Sequence, residues 1–213
     1  MTGADQLASA SPRLVRVAEP AVPEAVVLVL HGGASRGDRV AVSAAQLSVL
    51  RMIPVARAVA RAGRGRLGVY RLLNTYRGWD RAPTPVDDAR RAVSLLGDRF
   101  PGVPVGLVGH SLGGRAALLA GDTDDVRSVV ALNPWMHRTD GVDLSGRRVL
   151  IVHGDQDRVA SIEKARAVSD RLARSTEVEF VTVRGGKHAM LGQRREFDAR
   201  AARFTAQVLL APG

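Results

Sequence analysis

The chain contains no cysteine, which excludes a disulfide framework, cysteine-ligated zinc, an iron–sulfur cluster and a thiol nucleophile. Any side chain that attacks a substrate must do so through oxygen or nitrogen. Aromatic residues are nearly as scarce, at 4% of 213 residues, too few to supply the stacking platforms on which single-stranded nucleic acid is bound. No apolar run approaches the roughly 18 residues of a membrane-spanning helix. The start, Met1-Thr-Gly-Ala-Asp-Gln-Leu-Ala8, has neither the basic nor the apolar segment of a secretory signal. A cytoplasmic protein with no membrane span is the expectation.

Lysine is nearly missing as well: Lys164 and Lys187 stand alone, and every other basic residue is arginine. The formal net charge of +10 raises the question of an acidic partner such as nucleic acid. The basic residues are spread along the whole chain rather than gathered in one arm or stripe. They read mainly as a solvated, arginine-biased surface, so no nucleic-acid partner is expected. The pair Arg147-Arg148, just before an apolar run, reads as the flank of a strand.

A hydrophobic content of 46% and a charged content of 24% fit one globular domain. Residues 1–12, small and polar, are expected to form a flexible N-terminus and residues 13–213 that single domain. Six apolar runs of strand length recur: Ala25–Leu30, Leu67–Leu72, Pro104–Val108, Val126–Leu132, Val149–Val152 and Val178–Val183. Several are apolar on consecutive residues, as strands buried on both faces are. Helical patterns fall at Gln46–Ala62, interrupted or begun at Pro54, and at Pro85–Arg99, Ser111–Ala120, Ile162–Arg174 and Gln193–Leu210. Arg13–Val17 alternates polar and apolar residues and suits an edge strand, antiparallel to its neighbour. The alternation predicts an α/β fold with a mostly parallel central sheet of about seven strands and helices on both faces.

The most informative stretch is Gly109-His110-Ser111-Leu112-Gly113-Gly114. It places G-x-S-x-G directly after a buried strand and directly before a helix, the context in which that motif exposes a serine on a sharp turn. Glycine at 109 and 113 removes side chains that would collide with the neighbouring strand and helix, and Gly114 allows helix and sheet to pack closely. The phosphate-loop pattern G-x-x-x-x-G-K-[ST] is absent.

A serine at its ordinary pKa needs a base, and the base needs a partner that orients it. Of five histidines, His31 and His153 end apolar strands, His110 lies inside the turn, and His137 follows Asn133-Pro-Trp-Met in a loop. His188 sits in the glycine-rich loop Arg184-Gly-Gly-Lys-His188, from which a side chain can swing over the sheet's C-terminal edge. The carboxylate should come from another loop at that edge. Asp157 in His153-Gly-Asp-Gln-Asp157 is chosen, with Asp155 read as a turn former bonded within its own loop. The chain order is then Ser111, Asp157, His188. Backbone amides that stabilise an oxyanion are expected from Leu112, after the serine, and from Gly33 in His31-Gly32-Gly33-Ala34, with Ala34 the second choice.

With these motifs the chain resembles the α/β-hydrolase superfamily over residues 13 to 210. It is closest in look to small, lid-poor serine esterases like the dienelactone-hydrolase-like bacterial hydrolases. Dienelactone hydrolases proper carry cysteine where this chain has Ser111, so that particular activity is not implied. The resemblance implies an α/β-hydrolase fold with a minimal cap, since Asn133–Arg148 leaves only a short connection where a cap would be inserted. It implies hydrolysis of a carboxylic ester or thioester of a small-molecule substrate through an acyl-enzyme on Ser111, with His188 as base and Asp157 as its orienting partner. Acyl transfer or perhydrolysis by the same acyl-enzyme, or a non-catalytic binding protein, are the alternatives. No metal or other cofactor is expected. Ala34, Trp79, Trp135 and Met136 are candidates to line the substrate pocket. Leu47, Leu50, Met52 and Ile53 either roof one side of it or form ordinary helix core.

Overall fold

A computed structural model describes residues 11–33, 39–79 and 82–211. Seven strands run β1 Arg13–Ala18, β2 Ala25–Leu30, β3 Leu67–Leu73, β4 Val105–His110, β5 Val126–Leu132, β6 Arg148–Gly154 and β7 Glu177–Val183. The helices are α1 Leu47–Leu50, α2 Met52–Ala62, α3 Thr84–Arg99, α4 Leu112–Leu119, α5 Ile162–Leu172 and α6 Arg194–Leu209. The strands form one sheet in the order β1-β3-β2-β4-β5-β6-β7. Only β1 is antiparallel, pairing with β3 at the edge. The other five pairings are parallel.

The continuous apolar runs are explained by burial on both faces. Along β2, Val26, Leu28 and Leu30 point to one core, shared with α3, α4 and α5. Ala25, Val27 and Val29 point to the other, shared with α2 and α6. Alternate residues of one strand thus feed two layers, which an amphipathic strand cannot do. Pro54 lies in the first turn of α2, where its missing N–H costs no helical hydrogen bond. The helical pattern breaks three residues earlier, at Arg51, between α1 and α2.

The chain leaves β2 to add β3 on one side, then crosses back to add β4 on the other. Beyond the carboxyl ends of β2 and β4 the connecting loops therefore diverge, which opens a crevice where ligands of parallel sheets bind. The connection from β5 to β6 contains no helix, so nothing from it forms a cap over that crevice. The run Gly63-Arg-Gly-Arg-Leu-Gly68 has the G-x-G-x-x-G spacing of a dinucleotide loop. It leads from α2 into β3, the reverse of the strand-to-helix context that such a loop requires. Among the described residues no helix is long and apolar enough to cross a membrane.

Candidate active site

Ser111 is the single residue between β4 and α4, with φ 56° and ψ −122°. A side chain in this backbone region costs on the order of 1–3 kcal/mol and persists only where the surroundings enforce it. Here glycine sterics enforce it. A Cβ on Gly109 would come within 2.1 Å of the Gly113 carbonyl oxygen, and one on Gly113 within 2.5 Å of the His31 carbonyl oxygen. Gly114 is tight as well, with Pro134 and the Gly109 carbonyl each 3.2 Å from a Cβ there. Strand, helix and the neighbouring β2 loop approach so closely that the turn has no other shape available.

The three side chains chosen from the sequence meet at this turn. His188 Nε2 is 2.9 Å from Ser111 Oγ, and His188 Nδ1 is 2.8 Å from Asp157 Oδ2. An ionised carboxylate only accepts, so Nδ1 carries the hydrogen and Nε2 is left to accept from the serine hydroxyl. Asp157 Oδ1 accepts from the Val159 and Ala160 amides at 2.8 and 2.9 Å, which locks the carboxylate's orientation. Burial pushes the Asp157 pKa up, but the hydrogen bonds from His188, Ala160 and Val159 outweigh it and hold the carboxyl below its ordinary value. It stays ionised at neutral pH.

The loop that carries His188 is tied down on three sides. Asp155 Oδ1 accepts from the Gly185 amide at 2.7 Å. Asp155 is therefore a tie between the β6 and β7 loops, not a turn former within its own loop as its sequence position suggests. Gly154 and Gly186 approach so closely that a Cβ on Gly154 would lie 2.2 Å from the Gly186 carbonyl oxygen. Asn133, with φ 42°, accepts from the Gly154 amide at 2.8 Å through Oδ1 and donates through Nδ2 to the Lys187 and His188 carbonyls at 3.1 and 3.3 Å. His110 Nε2 donates to the His188 carbonyl at 2.8 Å. Burial, and then the neighbouring His188, push the His110 pKa down to about 3. A neutral ring can brace the loop without adding charge beside His188.

The other side of the crevice is the loop after β2. His31 Nδ1 donates to the Gly32 carbonyl at 2.6 Å, and its Nε2 accepts from the Asn74 amide at 3.2 Å. Burial holds its pKa below the ordinary value, in keeping with one donor and one acceptor on a neutral ring. A Cβ on Gly33 would lie 2.0 Å from the Arg77 carbonyl oxygen, so no other residue fits. Gly33 and Leu112 both line a cleft of about 320 Å³ that also reaches Ser111 and His188. The Leu112 amide opens helix α4 and so has no partner within the helix. Ala34, the second choice for this role, lies outside the described residues.

Of the other pocket candidates, Trp135 lines the cleft, and its amide donates to the Ser111 carbonyl at 3.1 Å. Trp79 and Met136 do not line it. Met136 is 3% exposed and belongs to the core under α4, because the chain dives inward after Trp135. Trp79 packs against that core and lies under Arg115, whose guanidinium carbon is 4.1 Å from its ring centroid and 5.5 Å from that of Trp135. Arg115 is an exception to the solvated arginines: it is 9% exposed and pairs with Asp140 through Nη2–Oδ1 and Nε–Oδ2 distances of 2.8 Å. The stack props Trp135, so Trp79 acts on the cleft wall only at one remove. Of the four α1–α2 residues, Met52 is core, Leu47 and Leu50 are exposed and Ile53 is half-buried; none of the four lines the cleft. The residues of that segment that do line the cleft are Ser48 and Arg51, which the apolar pattern gave no reason to single out. Val159, next to Asp157, completes the wall beside His188.

Two family models match the sequence: the alpha/beta hydrolase family over residues 89–206 and serine aminopeptidase, S33, over residues 21–147. The first spans Ser111, Asp157 and His188; the second ends before the last two. A search of curated proteins finds no match. Among solved structures, Est1E from Butyrivibrio proteoclasticus with ferulic acid bound is similar at a TM-score of 0.70 and 15% identity, covering 93% of this chain and 96% of that one. An a/b serine hydrolase without lid from Xanthomonas campestris is similar at 0.68 and 16%, covering 95% and 97%. An alpha-beta serine hydrolase homologue from Coxiella burnetii is similar at 0.66 and 19%, covering 90% and 89%. At such identities these likenesses speak to the fold, and that fold is the α/β-hydrolase architecture.

Proposed function

The chain belongs to the alpha/beta hydrolase family, and from that premise we propose that it is a serine hydrolase that cleaves small carboxylic esters through an acyl-enzyme on Ser111. The observation that carries the reading is the continuous chain of hydrogen bonds from Ser111 Oγ through His188 to Asp157, set on a turn with a backbone conformation that serine adopts only under constraint.

The chemistry follows from the positions. His188 Nε2 takes the hydroxyl proton as Ser111 Oγ attacks the carbonyl carbon, and Asp157 stabilises the imidazolium that forms. The carbonyl oxygen, now negative, is met by the amides of Gly33 and Leu112, each such donor contributing about 3 kcal/mol to lowering the barrier. His188 then gives its proton to the leaving alcohol. Water, deprotonated by the same imidazole, attacks the acyl-enzyme and releases the acid.

The cleft's size favours small substrates, and its wall of Trp135 and Val159 favours an apolar group beside the ester. The absence of a helical cap between β5 and β6 leaves the acyl-enzyme reachable by nucleophiles other than water. Product analysis tests both points. With p-nitrophenyl acetate and butyrate the protein is expected to release nitrophenol and free acid, and added methanol is expected to divert only a minor share to the methyl ester. A majority of transfer product would make the protein an acyltransferase. No turnover of any short-chain ester would remove the proposal.

A further inference from the structure

The cleft holds one charged side chain that the mechanism does not use. Arg51 lines it together with Ser48, and no other Lys, Arg, Asp or Glu side chain among the described residues lines it. The Arg51 Nε is buried and has no hydrogen-bond partner. Among the described residues no carboxylate pairs with its guanidinium, in contrast to Arg115, which meets Asp140 in the neighbouring cluster. Burial is what lowers the Arg51 pKa from its ordinary value, and the cation is near enough to His110, at the base of the turn, to oppose that ring's protonation. Asp157, the acid nearest the reacting atoms, is fully covered behind His188 and occupied by it.

A guanidinium taken partly out of water without a counter-charge is costly. That cost is already met in the free protein, so an anion arriving at the cleft gains a charge-assisted, geometrically matched partner with little left to desolvate. The planar fork of arginine fits a carboxylate through two parallel hydrogen bonds.

We propose that Arg51 is a specificity-determining residue that binds a free carboxylate on the substrate, so that the preferred esters are hemi-esters of short dicarboxylic acids. The inference rests on the ester-hydrolase reading above. The covalent steps are unchanged: Ser111 Oγ bonds to the ester carbonyl, the alcohol leaves with the proton from His188, and water releases the free diacid. The substrate's second carboxylate stays ionised beside Arg51 throughout. The chain's net charge of +10 adds a long-range attraction for such substrates.

The test compares mono-p-nitrophenyl glutarate with its methyl ester, identical but for the free carboxylate, with uncatalysed rates subtracted. The wild type is expected to favour the anionic ester in kcat/KM by about tenfold or more at low ionic strength, the size of one charge-assisted contact. Added salt is expected to lower that ratio, Arg51→Gln to bring it near unity, and Arg51→Lys to retain a part of it. A wild-type ratio at or below unity, or a ratio that Arg51→Gln leaves unchanged, overturns the proposal. If Arg51→Gln does not fold, Arg51→Lys decides the matter: a ratio left there at its wild-type value overturns the proposal, whereas the salt series also screens the net charge of +10. The two readings separate cleanly. Turnover of both esters with no Arg51-dependent preference removes the carboxylate site and leaves the hydrolase. Arg51-dependent calorimetric binding of monomethyl glutarate with no turnover of any ester retains the site and removes the hydrolase.

Discussion

Ser111→Ala is expected to lower kcat on p-nitrophenyl butyrate by about 10⁴- to 10⁶-fold, with KM changed far less. The reason is local. Ser111 Oγ is the oxygen His188 Nε2 faces, at 2.9 Å, and Trp135, the aromatic wall of the cleft, keeps the hydrogen bond that its backbone N–H donates to the Ser111 carbonyl whatever the side chain at 111. Binding surfaces therefore survive the substitution while the attacking atom is lost. The residual rate would come from binding and from the amides of Gly33 and Leu112. Steady-state kinetics on the purified variant checks this, and an undiminished kcat would mean that another group attacks the ester.

Asp157→Asn is expected to cost about 10⁴-fold in kcat although it removes no contact by size. The present carboxylate directs Oδ1 at two amide donors, Val159 and Ala160, and Oδ2 at His188 Nδ1. The substituted amide has one acceptor and must turn it to those two N–H groups, leaving its NH₂ facing the histidine. Nδ1 must then accept, the ring's hydrogen moves to Nε2, and the serine hydroxyl faces a donor where it needs a lone pair. A variant that is folded by circular dichroism, binds substrate normally and turns over slowly is the expected result. A loss smaller than tenfold would show that the orientation of His188 does not depend on Asp157.

The turn at Ser111 was readable from sequence because its requirements are local: glycine two residues either side of the serine, a buried strand before, a helix after. His188 and Asp157 were readable because parallel sheets gather loops at one edge, so that residues after β6 and β7 reach the end of β4. Contacts between loops were not readable. Asp155 bonds to Gly185, thirty residues on, and nothing in its own segment marks that partner. Met136 and Trp79 were misplaced for a related reason: both are large apolar residues in loops, and only the tertiary path decides whether such a residue meets core or cleft. Ser48 and Arg51 were missed because polar residues three apart on a short helical segment look the same whether they face water or a cleft. The arginine-rich composition hid the buried Arg115 and the half-buried Arg51 among many solvated ones.

The central claim is that Ser111 is an activated nucleophile, and a fluorophosphonate probe tests it most directly. The probe reacts with serines whose hydroxyl proton is drawn off by a neighbouring base, and peptide mass spectrometry locates the phosphonyl group. The account predicts stoichiometric labelling of the wild type at Ser111 alone, no labelling of Ser111→Ala, and slow labelling of Asp157→Asn. A folded wild-type protein that takes up no probe, or takes it up at a serine other than Ser111, would contradict it.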